Sequence, residues 1–597
     1  MAIRCLVLLL ATFLLASVAS AQSALRDRLE AIVEQGTIPA IGYAVLEDGE
    51  IRDIGVVGEA NRRSLFRAGS ISKTVTTIMV LSLVNEGVLS LETPLREVLP
   101  NIDLANDWAE TSPIRLVDLL EQTSGLAGTS YADYGNWPTD IAPARVAEAR
   151  RFEARWQPGQ FFSYANVNHT LAAAMAQTRT GTAFDTLVAE RVFAPLGMDS
   201  ASFDRMAVEG SVLGSVDANG RPASYWDLDI RPSGALVGTI DDLAALARFL
   251  TTDGATAPER LRGVVPRMRA PESALVARQG YDFIYGAGLF PFVENGRVYY
   301  GHWGRIDRFQ SVIGTNPERN AAFVLLANGE DRRAFAEARA LIAAGVTGVS
   351  VTPSEEGPHS DLRKEGWWVP FTDDNVQRAW ITEYLGMVHT RVNDGTLLIR
   401  PGLAPWTEIE ATALTHAQYG LEGFPVATHV FARGDAGETF LLGDSQLTLK
   451  RIGTAEAVLR LGGLALFVVS LCVAVGGGLI HAVRRVLGSS QSHSGMWVAL
   501  GVAAVSAILL MALHVRWGML APLGELTALS APSFRSVTLL GLSLLWPVAT
   551  LLALVASTRR LAAGAPYIGA TGLIVGLAFL LSIAFLAGFG FVPLKTW

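Results

Sequence analysis

Cysteine is almost absent from this chain: only Cys5 and Cys472 occur, both within apolar runs. Disulfides therefore cannot brace its core, and a thiol nucleophile or cysteine-ligated zinc is excluded from the polar middle of the chain. Lysine is nearly as scarce, with Lys73, Lys364, Lys450 and Lys595 alone among 48 basic residues. A lysine set into an apolar helix is then a pointed choice, and Lys73 is such a residue. Long basic runs are missing too, and the formal charge is a mild −8. Nucleic acid has no electrostatic foothold on such a surface.

What the chain does have is length and apolar character. Its 597 residues, half of them hydrophobic, point to roughly three or four folding units, some of them in a membrane. Residues 1–21 read as a signal peptide. Arg4 is the charged start, residues 5–18 the apolar stretch, and Ala19-Ser20-Ala21 the small-x-small cleavage site. Near the other end, residues 461–483, 496–515, 537–556 and 568–592 are apolar runs long enough to cross a bilayer as helices. The pairs Arg484-Arg485 and Arg559-Arg560 lie in two of the connecting loops. The bias of basic residues toward the cytoplasm puts those loops inside, and residues 22–455 and the C-terminus outside. The signal peptide independently demands the same side.

The polar part divides into residues 22–350, a linker over 351–374, and a small β domain over 375–452, followed by a membrane domain over 457–597. In the first unit, residues 40–46 and 51–57 flank a turn and predict a β-hairpin. Residues 71–85 predict a buried helix stopped by Gly87. Residues 167–178 and 240–250 predict further helices, and residues 299–302, 311–315 and 322–327 predict strands. Strands at both ends with helices between predict an α+β or α/β sandwich whose sheet joins the two termini of the unit.

Three short motifs carry chemistry. In Phe66-Arg67-Ala68-Gly69-Ser70-Ile71-Ser72-Lys73, Ser70 stands where a turn meets a helix and Lys73 follows three residues later. Residues i and i+3 share a helix face, so the amine can approach the hydroxyl. A neutral serine needs such a base, and a lysine away from water can lose its proton near neutral pH. Alone, Ser-x-x-Lys is a weak signal, whose plain alternative is a solvated lysine. The second motif, Tyr164-Ala165-Asn166, puts a phenol and an amide on one side of extended backbone; its plain alternative is a core tyrosine and a helix-capping asparagine. The third, Gly301-His302-Trp303-Gly304-Arg305, ends a strand with glycines that let a substrate approach the strand edge. Its plain alternative is a glycine-rich turn.

In order and spacing the three motifs resemble the serine β-lactamase and penicillin-binding-protein family, nearest its class C and esterase branch. The stretches at residues 116–126, 158–166 and 232–239 resemble the same branch, and the likeness spans roughly residues 25–345. It implies an α+β fold with an antiparallel sheet and an all-helical subdomain. It implies that Ser70 attacks an amide, peptide or ester carbonyl, that Lys73 and Tyr164 share the proton transfers, and that Asn166 orients substrate. The N–H groups of Ser70 and Arg305 would form the oxyanion hole, with His302 and Gly304 beside the substrate. No cofactor or metal is implied. One departure stands out: His302-Trp303-Gly304 replaces the Lys-Thr-Gly of many β-lactamases, which weakens the case for β-lactam hydrolysis. Trp303 is expected to add bulk beside the cleft, and Arg305 to supply a substitute positive charge. The β domain resembles the lipocalin-like, barrel-like module that sometimes follows such a hydrolase.

The expected partners are a small peptide, ester or amide substrate and the lipid bilayer, with no nucleic acid. The alternative to a turning-over hydrolase is a sensor or penicillin-binding-type protein that is acylated with little turnover. The short loops at Arg484 and Arg559 leave such a sensor no cytoplasmic signalling domain. A transporter would need ionisable groups within its helices, and these segments carry few.

Overall fold

A computed structural model describes residues 24–126, 143–204, 213–222, 228–346, 364–372, 379–488, 494–519 and 528–594, apart from short internal gaps. The signal-peptide reading of residues 1–21 lies outside the described residues.

The centre of the first unit is a six-stranded antiparallel sheet. Its strands are β1 (Ala40–Glu47), β2 (Glu50–Gly58), β3 (Phe290–Glu294), β4 (Arg297–Ile306), β5 (Phe309–Asn316) and β6 (Ala321–Ala327). Their spatial order is β2-β1-β6-β5-β4-β3. β1 pairs with β6 from Ile41–Ala327 to Leu46–Ala322, so the N-terminal strand is stitched to the last one. Both strands are apolar on both faces because both faces are covered. Along β1, Ala40, Ala44 and Leu46 enter one core, while Ile41, Tyr43 and Val45 enter a second core with Phe335 and Ile342. The period of two divides the strand cleanly between the layers.

The first of these cores holds α1 (Ile71–Asn85), which is buried on every side from Ile71 to Leu83. That all-round burial explains its lack of a polar face. Against it lies α2 (Val167–Thr180), while α3 (Ile240–Thr251) shares the same core and packs on β1, β2, β5 and β6. A short ribbon, Phe66–Arg67 paired with Val237–Gly238, delivers the chain to the start of α1. On the sheet's other face lies α4 (Arg332–Ala344).

The next unit is a closed antiparallel barrel of eight strands. They are β7 (Gly366–Pro370), β8 (Val388–Asn393), β9 (Thr396–Pro401), β10 (Ile409–Ala413), β11 (Gln418–Leu421), β12 (His429–Arg433), β13 (Thr439–Leu442) and β14 (Thr448–Ile452). β7 lies inside the stretch expected to be linker, so the barrel starts earlier than its expected first residue, 375. The reason is closure: β7 pairs with β14 on one side and β8 on the other, and Trp368 plugs the interior. The Trp368 indole donates to Thr390 Oγ1 at 2.7 Å, giving the buried N–H its partner.

Alternation on β12 and β13 sends Phe431 and Leu441 inward. Val430, Ala432, Phe440 and Leu442 face outward, against Ala274, Leu275, Tyr281 and Ile284 of the first unit. The ring of Phe161 sits 5.2 Å from Phe371 and 4.7 Å from Phe440. The Tyr281 hydroxyl donates to the Ala427 carbonyl at 2.8 Å, and Gln160 donates to Asp435 at the same distance.

Four helices follow: α5 (Thr454–Val486), α6 (Ser494–His514), α7 (Phe534–Ala562) and α8 (Pro566–Gly588). All four are long and apolar enough to cross a membrane. Only Gly453 separates β14 from α5. The first turns of α5 pack on the barrel: Ala457 joins Val369, Met387 and Ile452 in one apolar cluster. Arg460 pairs with Glu383 of the barrel unit and, at 2.9 Å, with Glu456. This docking explains why α5 begins before the purely apolar run does.

Candidate active site

Ser70 closes a turn that two backbones enclose. Gly69 holds φ +53, a conformation that side chains disfavour, and a Cβ there would lie 2.7 Å from the Arg305 nitrogen. A Cβ on Gly304 would lie 1.9 Å from the Ala68 carbonyl oxygen. Strand β4 and the turn before Ser70 thus meet main chain to main chain, which only glycine permits. Ser311 on β5 adds a hydrogen bond to the Ala68 carbonyl at 2.8 Å. Pairing of β4 with β3 ends at Gly301, so residues 302–306 present that strand edge to the turn. An edge N–H at Arg305 beside the N–H of Ser70 is the arrangement an oxyanion needs.

Lys73 is wholly buried. Its Nζ lies 3.1 Å from Ser70 Oγ, 2.7 Å from Asn166 Oδ1 and 2.7 Å from the Ser233 carbonyl oxygen. Burial pushes its pKa well below the ordinary lysine value, because the charged form loses its hydration. A neutral amine has two hydrogens and one lone pair. In that neutral form the two acceptors at 2.7 Å would take the hydrogens, and the lone pair would be left for the serine hydroxyl. Asn166 starts α2 but makes no side-chain cap; its amide oxygen serves the lysine instead.

Tyr164 shares the same cleft. Its ring centroid lies 4.8 Å from Lys73 Nζ, 6.1 Å from the Tyr285 ring and 6.4 Å from the His302 ring. His302 is buried, with Nε2 3.0 Å from the Tyr285 hydroxyl and Nδ1 2.6 Å from the Trp303 carbonyl. Burial and the nearby Lys73 push its pKa down to about 3, so the imidazole is neutral at working pH.

Two expectations fail here, both through strand parity. Trp303 points to the opposite face of the sheet from His302 and Gly304. There its ring meets Phe292 at 5.6 Å and the Arg339 guanidinium of α4 at 4.7 Å. It adds no bulk beside the serine. The Arg305 side chain, on that same face, pairs with Glu330, so its charge is engaged rather than offered to a substrate.

Sequence reasoning missed Ser233, Gln122, His169 and Tyr285. Ser233 acts through its carbonyl, which no side-chain pattern reveals. Gln122 had a signal, since it lies in the stretch 116–126 that carried the resemblance, but nothing marked its partners. Among the described residues no group of His, Cys, Asp and Glu gathers in a metal-binding cluster.

The α+β sheet, the buried helix behind the serine and the glycine-lined strand edge together define the β-lactamase and transpeptidase class of fold. Residues 25–347 match the family model described as Beta-lactamase, and the chain belongs to that family. Penicillin-binding protein 4 of Amycolatopsis lactamdurans is 27% identical over 329 residues, covering 51% of this chain and 84% of that protein. Protein flp of Staphylococcus aureus is 23% identical over 321 residues, covering 50% of this chain and 61% of its own length. Among solved structures, the octameric penicillin-binding protein homologue from Pyrococcus abyssi is 19% identical, with TM-score 0.45 over 72% of this chain and 99% of that one. SurE is 21% identical, with TM-score 0.49 over 73% and 99%.

Proposed function

We propose that this chain is an exported, membrane-anchored serine hydrolase that works through an acyl-enzyme on an ester, amide or peptide bond. The observation that carries the reading is the set of contacts around Lys73: a buried amine with two acceptors at 2.7 Å and the Ser70 hydroxyl at 3.1 Å. In acylation the Ser70 Oγ bonds to the carbonyl carbon, and the carbon–leaving-group bond breaks. The serine proton passes through Lys73 and Tyr164 to the departing oxygen or nitrogen. The N–H groups of Ser70 and Arg305 hold the oxyanion. Water then attacks the acyl-enzyme, and the same groups return the proton to Ser70. Of the residues after the third motif's first glycine, His302 is neutral and Arg305 is paired. This favours esters and peptides over substrates held there by an anionic group.

The test uses the full-length protein in detergent and a fluorescent fluorophosphonate. One covalent adduct per chain is expected, mapping by mass spectrometry to Ser70. An adduct on another residue, or none, defeats the assignment. A nitrophenyl ester then separates the two forms of the reading: steady hydrolysis marks an enzyme, and a single stoichiometric burst marks an acylated sensor.

The proposed orientation puts the catalytic unit outside the cytoplasm, from the positions of Arg484, Arg485, Arg559 and Arg560. A phosphatase reporter fused after Trp597 is expected to be active. An inactive fusion whose cytoplasmic counterpart is bright would reverse the topology.

A further inference from the structure

Gln122 is fully buried and holds φ +60, a left-handed backbone that glutamine rarely adopts. Its partners account for that conformation. The Gln122 carbonyl accepts the Ser163 N–H at 2.8 Å, and its side-chain Oε1 accepts the Ala165 N–H at 2.9 Å. Tyr164 lies between those two amides. One residue therefore grips the main chain on both sides of the phenol, and in extended backbone the residue between two such anchors projects away from them.

The same side chain also orders a buried polar array. Oε1 accepts a second hydrogen from Asn168 Nδ2 at 2.6 Å, and Asn168 Oδ1 accepts the Ser124 hydroxyl at 2.7 Å. With Oε1 serving as acceptor, Nε2 is left to donate. It lies 3.4 Å from His169 Nδ1, and the Tyr285 phenol is its other polar neighbour. His169 Nε2 reaches Thr77 Oγ1 of α1 at 3.1 Å.

At the far end the Trp303 carbonyl can only accept. His302 Nδ1 therefore carries the proton and Nε2 accepts from Tyr285. The donor directions follow from a fixed donor at one end, the Ala165 N–H, and a fixed acceptor at the other, the Trp303 carbonyl. The array joins α1, α2 and β4, three of the elements that carry the site, and each member is at least nine-tenths buried.

We propose that Gln122 is the positioning residue of the site. It fixes the main chain on either side of Tyr164, and through Tyr285 it fixes the orientation of His302. It touches neither Ser70 nor Lys73 in any hydrogen bond described above, and acts through the groups it aligns. The inference rests on the serine-hydrolase reading. It goes beyond that reading by placing a non-reacting amide in control of proton transfer.

Two variants of the full chain test it, with labelling by the fluorophosphonate followed as a function of probe concentration. Gln122→Met keeps the volume and removes both acceptor and donor. Its maximal labelling rate is expected to fall about 50-fold or more, with the half-saturating concentration changed less than about 3-fold. Gln122→Glu keeps an acceptor for the Ala165 N–H and, when protonated, a donor for Tyr285. Relative to wild type, it is expected to recover to within about 5-fold at pH 5.5 and to fall away at pH 8.5, as its carboxylate ionises.

The titratable groups facing that position are Lys73 of α1, His169 of α2, His302 of β4, and the two phenols Tyr164 and Tyr285. Asp118 and Glu121, on the same chain segment, are bound elsewhere, to Arg115 and Arg267. A Gln122→Met rate within about 3-fold of wild type overturns the proposal, since the lost hydrogen bonds would then not matter to proton transfer. If the Met variant does not fold, the Glu variant decides alone: a ratio to wild type that is the same at both pH values overturns it. A wild-type chain that takes no probe at all defeats the hydrolase reading, and this inference with it. A labelled wild type beside an unaffected Gln122→Met defeats only the role of Gln122.

Discussion

Replacing Lys73 with methionine should slow acylation of Ser70 by about 10³- to 10⁴-fold, the upper range for losing a positioned general base. The measurement is the rate of fluorophosphonate labelling. Methionine has nearly the length of lysine and no lone pair of comparable basicity, so the change removes the base and little volume. Labelling at the wild-type rate would show that another group takes the proton.

The same substitution has a signature in stability. The folded pKa of Lys73 lies well below its ordinary value of 10.5. Between those two values the unfolded chain binds one more proton than the folded chain. Stability contributed by this residue therefore rises with pH across that window, by at most about 1.4 kcal/mol per unit, and levels off above 10.5. The wild-type catalytic unit is expected to gain more in melting temperature between pH 7 and pH 9.5 than Lys73→Met does. Methionine cannot donate to Asn166 Oδ1 or to the Ser233 carbonyl as Lys73 does, so at high pH the variant is the less stable of the two.

Gly304→Ala should damage the site severely with a single methyl group. Its Cβ would stand 1.9 Å from the Ala68 carbonyl oxygen and 2.3 Å from Ser311 Oγ. Neither can retreat cheaply: Ala68 is buried main chain next to the nucleophile turn, and Ser311 is buried on β5. Relief requires β4 to back away from the turn by about 1 Å, a misplacement that costs about 100-fold in rate when reacting groups are involved. A loss of about 1–3 kcal/mol in stability accompanies it. The control is Gly296→Ala in the β3–β4 turn, where a Cβ meets nothing within 4 Å but φ is +70. That variant pays for backbone conformation alone and should label at the wild-type rate. Equal labelling by Gly304→Ala would mean that the close approach of strand and turn has no part in catalysis.

How legible was all this in the sequence? The helix behind the serine was: residues 71–85 set Val75, Ile78, Met79, Leu81 and Leu83 among small Ser and Thr side chains with Lys73 as the sole charge, a pattern that offers no solvated face. The β1–β2 hairpin and the sheet joining both ends of the first unit were legible through the same apolar patterning. β7 was not. Gly366-Trp367-Trp368-Val369-Pro370 is five residues long, begins beside charges and ends in proline, and only barrel closure makes it a strand.

Within the third motif, the identity of the residues was readable but their facing was not. Whether His302 or Trp303 turns toward the serine depends on register with β5, where His302 opposes Ile313 and Trp303 opposes Val312. The Ser233 carbonyl and the grip of Gln122 are main-chain and long-range facts. A residue pattern along the chain contains neither.

The single glycine between the barrel and α5 sets how this molecule can move. One residue offers no slack, and the Arg460–Glu383 pair and the Ala457 cluster close the joint on both sides. Once the four helices sit in a bilayer, the barrel stands as a stiff pedestal, and the catalytic unit rides on it through Phe161, Tyr281 and their neighbours. On the proposed hydrolase reading, the serine would then work at one height above the lipid and one tilt, sweeping the surface only as the whole protein diffuses. Substrates must come to that plane. A tethered target whose scissile bond lies higher or lower than the cleft is out of range, however well its chemistry fits.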